Sequence, residues 1–504
     1  MKVNIFAVAD ADTELLFTKL DSVGMAVIKT VQQDGWVGRF YYSPDANPKQ
    51  PSWVGPYRSY FNEQPIPESH SPFAVFLFTK DDHAYALSYG KAHFYVRPYC
   101  DYDFGIELAK RIAQEDDTRL TASKRFSGRQ RKTIRSYSNE TRLNVESGES
   151  VDYVQAAILD DLSESFGLVG KFGTSAQLTV DISADGIGKM LTNIDAQLRT
   201  EPRFSMPRTT LITDDLEVAR LDQHLLDQLQ AEAGATEFTQ NSYDLYGVDF
   251  VFGSTGRYTI KHGRRSQDVD QLTMLELKNF IAAQGISRDR ILEIKIVHHQ
   301  DDGPTYTNEL KRDLDFISDD ERVVLTGGRW MRFNQDYLDY LDDYLRTIRV
   351  EQTEPELLET SLTEGDFNTS LEVAQAGYDV ADKDFSIFKT KSKTSIEAWD
   401  LKRGNTVYAV KFGTAQKLGY VCDQAMAVLE LMRNKAGVKE IPDFESYCLW
   451  LGYRGQKLPA SVADTGSIIL KQKIEAWARA TEALGLTPVL KLSRRVRTGI
   501  DDGS

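Results

Sequence analysis

The stretch "SIEAWDLKRGNTVYAVKFG", residues 395–413, predicts a β-hairpin that carries a carboxylate and a lysine among apolar neighbours. Its turn, Lys-Arg-Gly-Asn, would pair Asp400 with Val407 and Ala398 with Ala409. Because successive strand residues point to opposite faces, Asp400, Ala409 and Lys411 are expected on one face. The other face would carry the apolar set Trp399, Leu401, Tyr408, Val410 and Phe412.

The hairpin lies in a C-terminal region, residues 351–504, whose patterns predict a compact α/β domain. The first helix is predicted from "EGDFNTSLEVAQAGY", and three strands follow in "DFSIFKT", "SIEAWDL" and "TVYAVKF". A long helix, the strand "YCLWLGY", another helix and the strand "PVLKLS" complete the order. The Glu-rich segment "EQTEPELLETSLTEGD" is expected to link this domain to the rest of the chain.

The ionisable residues of this region have the types used in metal-assisted phosphodiester cleavage. Acids hold a divalent cation, and a lysine balances charge that develops on the phosphate. The order helix, three strands, helix and strand, with an Asp and then a Lys on successive strands, resembles the PD-(D/E)XK nuclease superfamily and its restriction-endonuclease-like core. The resemblance implies Asp400 and Lys411 as motif residues, Asp400 and Glu364 as metal ligands, and Mg²⁺ or Mn²⁺ as the cofactor.

The sequence departs from that superfamily at one motif position, because Ala409 stands where a second acid is expected. Glu397, Glu364 and Asp423 are candidates to replace it, although the predicted register turns Glu397 towards the opposite face. The pattern therefore fits an active variant nuclease and also one that has lost cleavage.

The remaining sequence predicts a multidomain protein of α+β or α/β class, because 504 residues exceed what one core holds. Residues 1–140 alternate short apolar runs with turn signals and predict a mostly antiparallel β domain. Residues 141–350 predict a mixed domain that is helix-rich up to about residue 235. In this domain, "YGVDFVFGSTGRYTIKHGRR" is expected to form a hairpin closed at its Gly and Ser residues.

A basic block, "RLTASKRFSGRQRKTIR" at 119–135, contains no acid although the chain has a net charge of -15. Such a block predicts contacts with nucleic-acid phosphates. A solvated loop and a mate for an acidic partner surface are the alternatives. The predicted phosphate-binding residues are Lys124, Arg125, Arg129, Arg131, Lys132 and Arg135, with Lys391 and Lys393 from "KTKSK".

Several classes of protein are disfavoured by simple sequence criteria. No apolar run approaches the roughly 20 residues of a membrane span, and acids interrupt the start of the chain where a signal peptide is apolar. A cytoplasmic protein without a membrane partner is expected. The three cysteines suit neither a disulfide framework nor a CxxC metal site. The adjacent histidines of "VHHQDD", at 297–302, should point to opposite faces of a strand and so suit chelation poorly.

A second resemblance covers nearly the whole chain. The motifs "FAVFLFTKDDHAYALSYG", "YDFGIELAKRI", "GRQRKTI", "TGGRWMRF", "EGDFN", "AVKFG" and "DQAMA" occur in this order. Their succession resembles a sporadically distributed, uncharacterised bacterial family of about this length that is often met near defence or mobile genes. The resemblance implies that Gln424 is a site glutamine on the helix after the Val-Lys strand.

Three functions fit these observations. The first is a nuclease that acts on invading nucleic acid, and the second is a nucleic-acid-binding or sensing protein without cleavage. The third is a protein-interaction or toxin-like component in which Asp400 and Lys411 form an ion pair. Partner proteins from a neighbouring operon and self-association stay open. The choice between DNA and RNA also stays open, because the sequence shows no base-stacking or groove-reading motif.

Overall fold

The computed structural model describes residues 1–496 except 10–11, 44–49, 62–63, 69–71, 126–131, 138–140, 144, 231–248, 251–256, 271, 300–304, 319–320, 382–398, 435–443 and 455–456. The chain divides into two compact units. The first comprises residues 1–124, 132–145 and 149–208, and the second comprises residues 125–131, 146–148 and 209–504. The domain limits predicted near residues 140 and 350 stay predictions.

The first unit is built on one sheet of ten strands among the described residues. The strands are β1 (Lys2–Val8), β2 (Ala26–Gln33), β3 (Trp36–Ser43), β4 (Phe73–Lys80), β5 (His83–Tyr89), β6 (Ala113–Arg125), β7 (Lys132–Ser136), β8 (Glu149–Ile158), β9 (Val169–Phe172) and β10 (Ala176–Thr179). Their spatial order is β2-β3-β4-β5-β1-β10-β9-β8-β6-β7. The helices are α1 (Thr13–Ser22), α2 (His93–Val96), α3 (Phe104–Ile112), α4 (Ser163–Phe166) and α5 (Ile187–Leu198).

Strand β4 shows why this sheet has a core on each face. Its sequence FAVFLFTK is apolar at successive positions, so alternation sends side chains into both layers. Phe76 and Phe78 enter one core, which α3 and α5 cover, and Val75 and Leu77 enter the other, which α1 covers. Strands β8, β9 and β10 lie within 149–179, where the sequence had predicted mainly helix, so that part of the prediction is wrong.

The second unit contains three sheets among the residues described. Its strands are β11 (Thr209–Leu211), β12 (Asp249–Phe250), β13 (Arg257–His262), β14 (Arg265–Val269), β15 (Lys295–His299), β16 (Tyr306–Glu309), β17 (Leu314–Ser318), β18 (Val323–Thr326), β19 (Arg329–Phe333), β20 (Arg349–Glu351), β21 (Glu359–Thr360), β22 (Asp379–Val380), β23 (Leu401–Arg403), β24 (Thr406–Gly413), β25 (Ser446–Tyr453) and β26 (Thr487–Arg495). Its helices are α6 (Asp215–Gln230), α7 (Met274–Gln284), α8 (Leu310–Asp313), α9 (Gln335–Thr347), α10 (Glu364–Asn368), α11 (Leu371–Gln375), α12 (Ala415–Asn434) and α13 (Ile468–Glu482).

Two smaller sheets of this unit have the orders β11-β19-β18-β17-β12 and β14-β13-β15-β16. The hairpin predicted in this region has a different turn from the expected one. Strand β12 pairs with β17, and the hairpin joins β13 to β14 around Gly263, whose φ of +59° suits a residue without Cβ. Helix α7 lies between an N-cap at Thr273 and a left-handed Gly285.

The C-terminal sheet has the order β20-β26-β25-β24-β23-β22, with β21 paired to β26. Strands β24, β25 and β26 run parallel, joined through α12 and α13. One face packs under these helices through residues such as Leu418 and Trp477. The other face packs under α10 and α11. A single helix was predicted here, but Ser370 caps the N-terminus of a second one, α11. The predicted strand "DFSIFKT" lies outside the described residues.

Two further expectations concern membranes and cysteines. In the described part of the chain, no helix combines the length and the apolar character that crossing a membrane requires. Cys100, Cys422 and Cys448 are buried free thiols.

Candidate active site

The predicted hairpin forms, but its register differs from the expected one by two residues. Lys402 pairs with Val407 and Arg403 with Thr406, so Gly404 and Asn405 form the turn. The shift is even, and an even shift leaves every side chain on the face that alternation assigned to it. Trp399 is the exception, because it lies before the first residue of β23 and packs in the core under α12 and α13.

Asp400 forms hydrogen bonds with the sheet through both its backbone and its side chain. Its backbone N–H donates to the carbonyl of Tyr408 at 2.9 Å, and its carbonyl accepts from Ala381 at 2.9 Å. Its carboxylate Oδ2 accepts from the backbone N–H of Val410 at 2.6 Å. Burial and the charge of Asp400 together raise the pKa of the Tyr447 phenol. Since Tyr447 belongs to the core under α12 and α13, Asp400 lies on that face of the sheet.

Lys411 meets the carboxylate that was predicted from the preceding helix. Its Nζ lies 3.0 Å from Oε1 of Glu364. Glu364 is the first residue of α10, which Thr363 caps by accepting from the backbone N–H of Asp366. Phe367 anchors the same helix on the sheet, with its ring 4.8 Å from that of Phe412. The helix therefore holds Glu364 where Lys411 can reach it.

Ala409 occupies the place between Asp400 and Lys411 on this face. It is buried, and its strand neighbour on β25 is Leu449. No carboxylate can come from this position, so the second acid of the nuclease motif is missing from β24. The structure explains how Ala409 packs but supplies no substitute acid on the same strand.

Other predicted site residues divide into described and undescribed ones. Gln424 is exposed on α12. Asp423, a candidate replacement ligand, forms an ion pair with Lys473. Glu397, Lys391 and Lys393 lie outside the described residues. The roles predicted for all of these stay predictions.

The donor set for a metal ion is small. Among the residues that the structure describes, no three His, Cys, Asp or Glu side chains come together as a metal-binding group. Mg²⁺, however, commonly takes one or two protein carboxylates and completes its shell with water and substrate phosphate. Asp400 and Glu364 are oxygen donors of the required kind, so the residue types fit a cation shared with a substrate, although α10 carries Glu364 on the face of the sheet opposite to Asp400.

The described side chains of the basic block are paired with acids of the protein. Arg135 donates to the buried Glu149 at 2.7 Å, and Lys124 lies 3.6 Å from Asp152. Arg125 lies 2.9 Å from Glu475, a carboxylate with no exposed side-chain surface. The described side chains of this block thus have acidic partners in the fold. Arg129 and Arg131 lie outside the described residues, and of Lys132 the structure describes the strand position alone.

A buried charge network on the opposite face of the C-terminal sheet was missed by the sequence analysis. Lys491 is inaccessible to solvent, and its Nζ lies 3.0 Å from Glu351 and 2.9 Å from Glu354. Arg403 pairs with both acids, and the hydroxyl of Tyr408 donates to Glu351 at 3.0 Å. The one signal in the sequence is a lysine at the centre of the apolar strand "PVLKLS".

The adjacent histidines behave as their spacing predicts. His298 is buried, with Nε2 2.7 Å from Oδ2 of Asp313, whereas His299 lies on the other face with Nε2 2.8 Å from Oγ1 of Thr259. Each has a local partner, and the two rings do not share a ligand. The Asp residues at 301 and 302 lie outside the described residues.

A comparison with protein families now adds a context. A model of a family of unknown function, DUF6119, matches residues 14–441. The chain belongs to the DUF6119 family. The expectation of an uncharacterised family is therefore confirmed. No curated protein matches the chain, and no solved structure matches it either.

The DUF6119 match includes the residues of the candidate site. Glu364, Asp400, Lys411 and Gln424 all lie within residues 14–441. Strands β25 and β26 and helix α13 follow the match. Strand β25 pairs in parallel with β24 and with β26, and α13 packs on this part of the sheet.

Proposed function

We propose that this DUF6119 member is a cytoplasmic nucleic-acid-acting protein whose C-terminal sheet forms a variant PD-(D/E)XK-like nuclease site in defence against phage or mobile elements. One observation carries the proposal. Lys411 alternates with Ala409 onto the sheet face that also holds Asp400, and its Nζ lies 3.0 Å from Glu364, which is 47 residues earlier in the chain and opens α10 on the other face. These are the three residue types that the nuclease motif requires.

The order of elements supports the same proposal. Helix α10 precedes the antiparallel strands β22, β23 and β24, and α12 then crosses to the parallel strand β25. The superfamily resemblance implies an order of helix, strands, helix and strand, which these elements follow with α11 added and with β22 before the predicted strand "DFSIFKT", which lies outside the described residues. Further residues, Glu397 and Gln424 among them, stay predictions within this proposal.

The site residues have separable roles in the proposed reaction. A divalent cation held by Asp400 and Glu364 would polarise the phosphate and lower the pKa of a bound water molecule. Lys411 donates to a phosphate oxygen and offsets its growing negative charge. Glu364 positions Lys411, because the ion pair fixes a side chain that otherwise has four free torsions. The backbone of Val410 holds the Asp400 carboxylate in place.

Ala409 favours a second candidate function, a nucleic-acid-binding or sensing protein that does not cleave. With one motif acid missing, Lys411 and the neighbouring helix α10 would still contact a phosphate backbone. A protein-interaction or toxin-like role is the third candidate, in which Lys411 and Glu364 are an ion pair alone. Exposed and half-buried pairs of this kind contribute little to stability, so stability is a weak reason for their presence.

The proposal is tested by incubating the full chain with plasmid, linear duplex, single-stranded DNA and RNA, each with Mg²⁺, Mn²⁺ or EDTA. The informative variant is Asp400→Asn, since its amide oxygen can still accept from Val410 while the charge is lost. Cleavage with metal that disappears in Asp400→Asn and in Lys411→Met would support the nuclease.

The matched control is Lys471→Met, which removes a lysine that is ion-paired to Asp342 at 2.7 Å and that has no predicted role in the site. It should retain full cleavage. Salt-sensitive binding without cleavage in any lane would favour the sensing protein. The absence of both cleavage and binding would leave the protein-interaction role.

A further inference from the structure

Three aromatic side chains that the proposed nuclease site does not use are exposed on the first unit. Trp53, Tyr57 and Tyr60 expose 55%, 51% and 79% of their surface, although large rings are usually buried. They lie within eight residues of one another in "PSWVGPYRSYF", residues 51–61. We call these three rings the aromatic platform.

The backbone that carries the aromatic platform forms a series of hydrogen-bonded turns. Backbone amides donate within the segment from Val54 to Pro51 at 3.0 Å, from Tyr57 to Val54 at 3.1 Å and from Tyr60 to Tyr57 at 2.8 Å. Val54 is fully buried and anchors the segment. The ring centroids of Tyr57 and Tyr60 are 5.7 Å apart. The hydrogen-bonded turns fix the backbone from which the rings project, and each ring has only two side-chain torsions to order when a ligand stacks on it.

The charge of residues 51–61 favours a negatively charged ligand over other ligands that stack on aromatic rings. Residues 51–61 contain no acid in a chain of net charge -15, and Arg58 is exposed between Tyr57 and Tyr60. A guanidinium beside exposed aromatic rings suits a ligand that has flat bases and a negative backbone. In a duplex the base faces are stacked on each other, whereas a single strand presents them.

We infer that the aromatic platform binds single-stranded nucleic acid by stacking bases on Trp53, Tyr57 and Tyr60, with Arg58 contacting the phosphate backbone. This inference rests on the proposed function and names its ligand as a single strand. No base-stacking motif is visible in the sequence, because ring exposure is a property of the folded chain.

The protein contains a built-in reporter for this binding. Of its six tryptophans, Trp53 is exposed, and Trp36, Trp330, Trp399, Trp450 and Trp477 are buried. A base stacked on Trp53 should therefore quench the accessible part of the tryptophan fluorescence. The full chain is titrated in EDTA, which prevents metal-dependent cleavage, with an oligothymidylate, an oligouridylate, a duplex of equal length and an abasic strand of equal charge.

We expect quenching by the two single strands, and little by the duplex or the abasic strand. Tyr60→Ala should weaken single-strand affinity, measured by anisotropy, roughly 5- to 150-fold, the range of one base stack, and Tyr60→Phe should restore most of it. Trp53→Phe should remove the quenching and keep most of the affinity. Phe94→Ala, which removes another exposed ring of the same unit, is the matched control and should change neither.

The outcomes separate this inference from the proposed function. Equal quenching by the abasic strand or the duplex would overturn stacking. Metal-dependent cleavage without quenching by any strand would overturn the platform and leave the nuclease intact. Quenching by an oligosaccharide or an apolar peptide, and not by nucleic acid, would also overturn it. Single-strand binding at the platform without cleavage under any condition would support the platform and reject the nuclease.

Discussion

Lys411 and Glu364 lie 3.0 Å apart at the end of the C-terminal sheet, although one is on a central strand and the other opens a short helix. Their side chains are 25% and 31% exposed. A pair this accessible is worth about 1 kcal/mol or less. The pair joins the strand face that holds Asp400 to helix α10 on the other face, and this position is therefore more informative than its strength.

Replacement of either partner should separate activity from stability. Lys411→Met and Glu364→Gln are expected to abolish cleavage while changing the free energy of unfolding by about 1 kcal/mol or less. Urea denaturation followed by circular dichroism measures the stability, and the plasmid assay measures the activity. A loss of stability of several kcal/mol with retained cleavage would contradict the assigned role.

Ala409→Asp tests whether the missing acid limits the site. A carboxylate at this buried position next to Asp400 should lower the thermal midpoint without metal, because like charges are brought together away from water. Mg²⁺ should raise the midpoint again if the new acid completes a metal site, and cleavage should increase. Ala409→Asn has the same size without the charge, and a similar response to Mg²⁺ in this control would reject the metal site.

Lys491 should be far more important for stability than Lys411. It is inaccessible to solvent and lies 3.0 Å from Glu351 and 2.9 Å from Glu354. Lys491→Met would leave two partly buried acids with Arg403 as their remaining cation in the network and should cost about 3–5 kcal/mol. The double variant with Glu351→Gln should recover part of this loss in the same denaturation experiment. No recovery would mean that the network is not coupled through charge.

The same network predicts an acid-dependent loss of stability. Burial alone would raise the pKa of Glu354, but hydrogen bonds from its own backbone amide, from Lys491 and from Arg403 lower it from 4.5 to about 2. A carboxyl whose pKa is lower in the folded state stabilises the fold fully above its unfolded pKa. This contribution should be lost as the pH falls from 4.5 towards 2. Denaturation between pH 2 and 6 should show a weaker dependence in Glu354→Gln than in the wild type.

Two tyrosines should respond in opposite directions to the loss of a hydroxyl. The buried hydroxyl of Tyr453 has no hydrogen-bond partner among the described residues, so Tyr453→Phe should leave the thermal midpoint unchanged or raise it. The hydroxyl of Tyr337 accepts from Gln472 at 2.7 Å and donates to the carbonyl of Gly148 at 3.2 Å. Tyr337→Phe should cost about 1–3 kcal/mol, because it leaves buried partners unsatisfied. Equal effects would show that the two environments are alike.

Local patterns account for the elements that the sequence analysis predicted well. Strands β24, β25 and β26 and helices α12 and α13 follow from apolar spacing and turn residues that lie within a few positions of one another. The face shared by Ala409 and Lys411 was also predictable. A period of two preserves it even though the register of the hairpin was displaced by two residues.

Contacts between distant segments were beyond local patterns. The pairing of β12 with β17, the acids that neutralise Arg125 and Arg135, and the network around Lys491 each join residues that are far apart in the chain. Each depends on which surfaces remain once other elements have packed, and periodicity carries no information on that. The sequence therefore determined strands, helices and the residue types of the candidate site. Packing decided which charges are neutralised inside the protein and which rings, such as Trp53, are left in solvent.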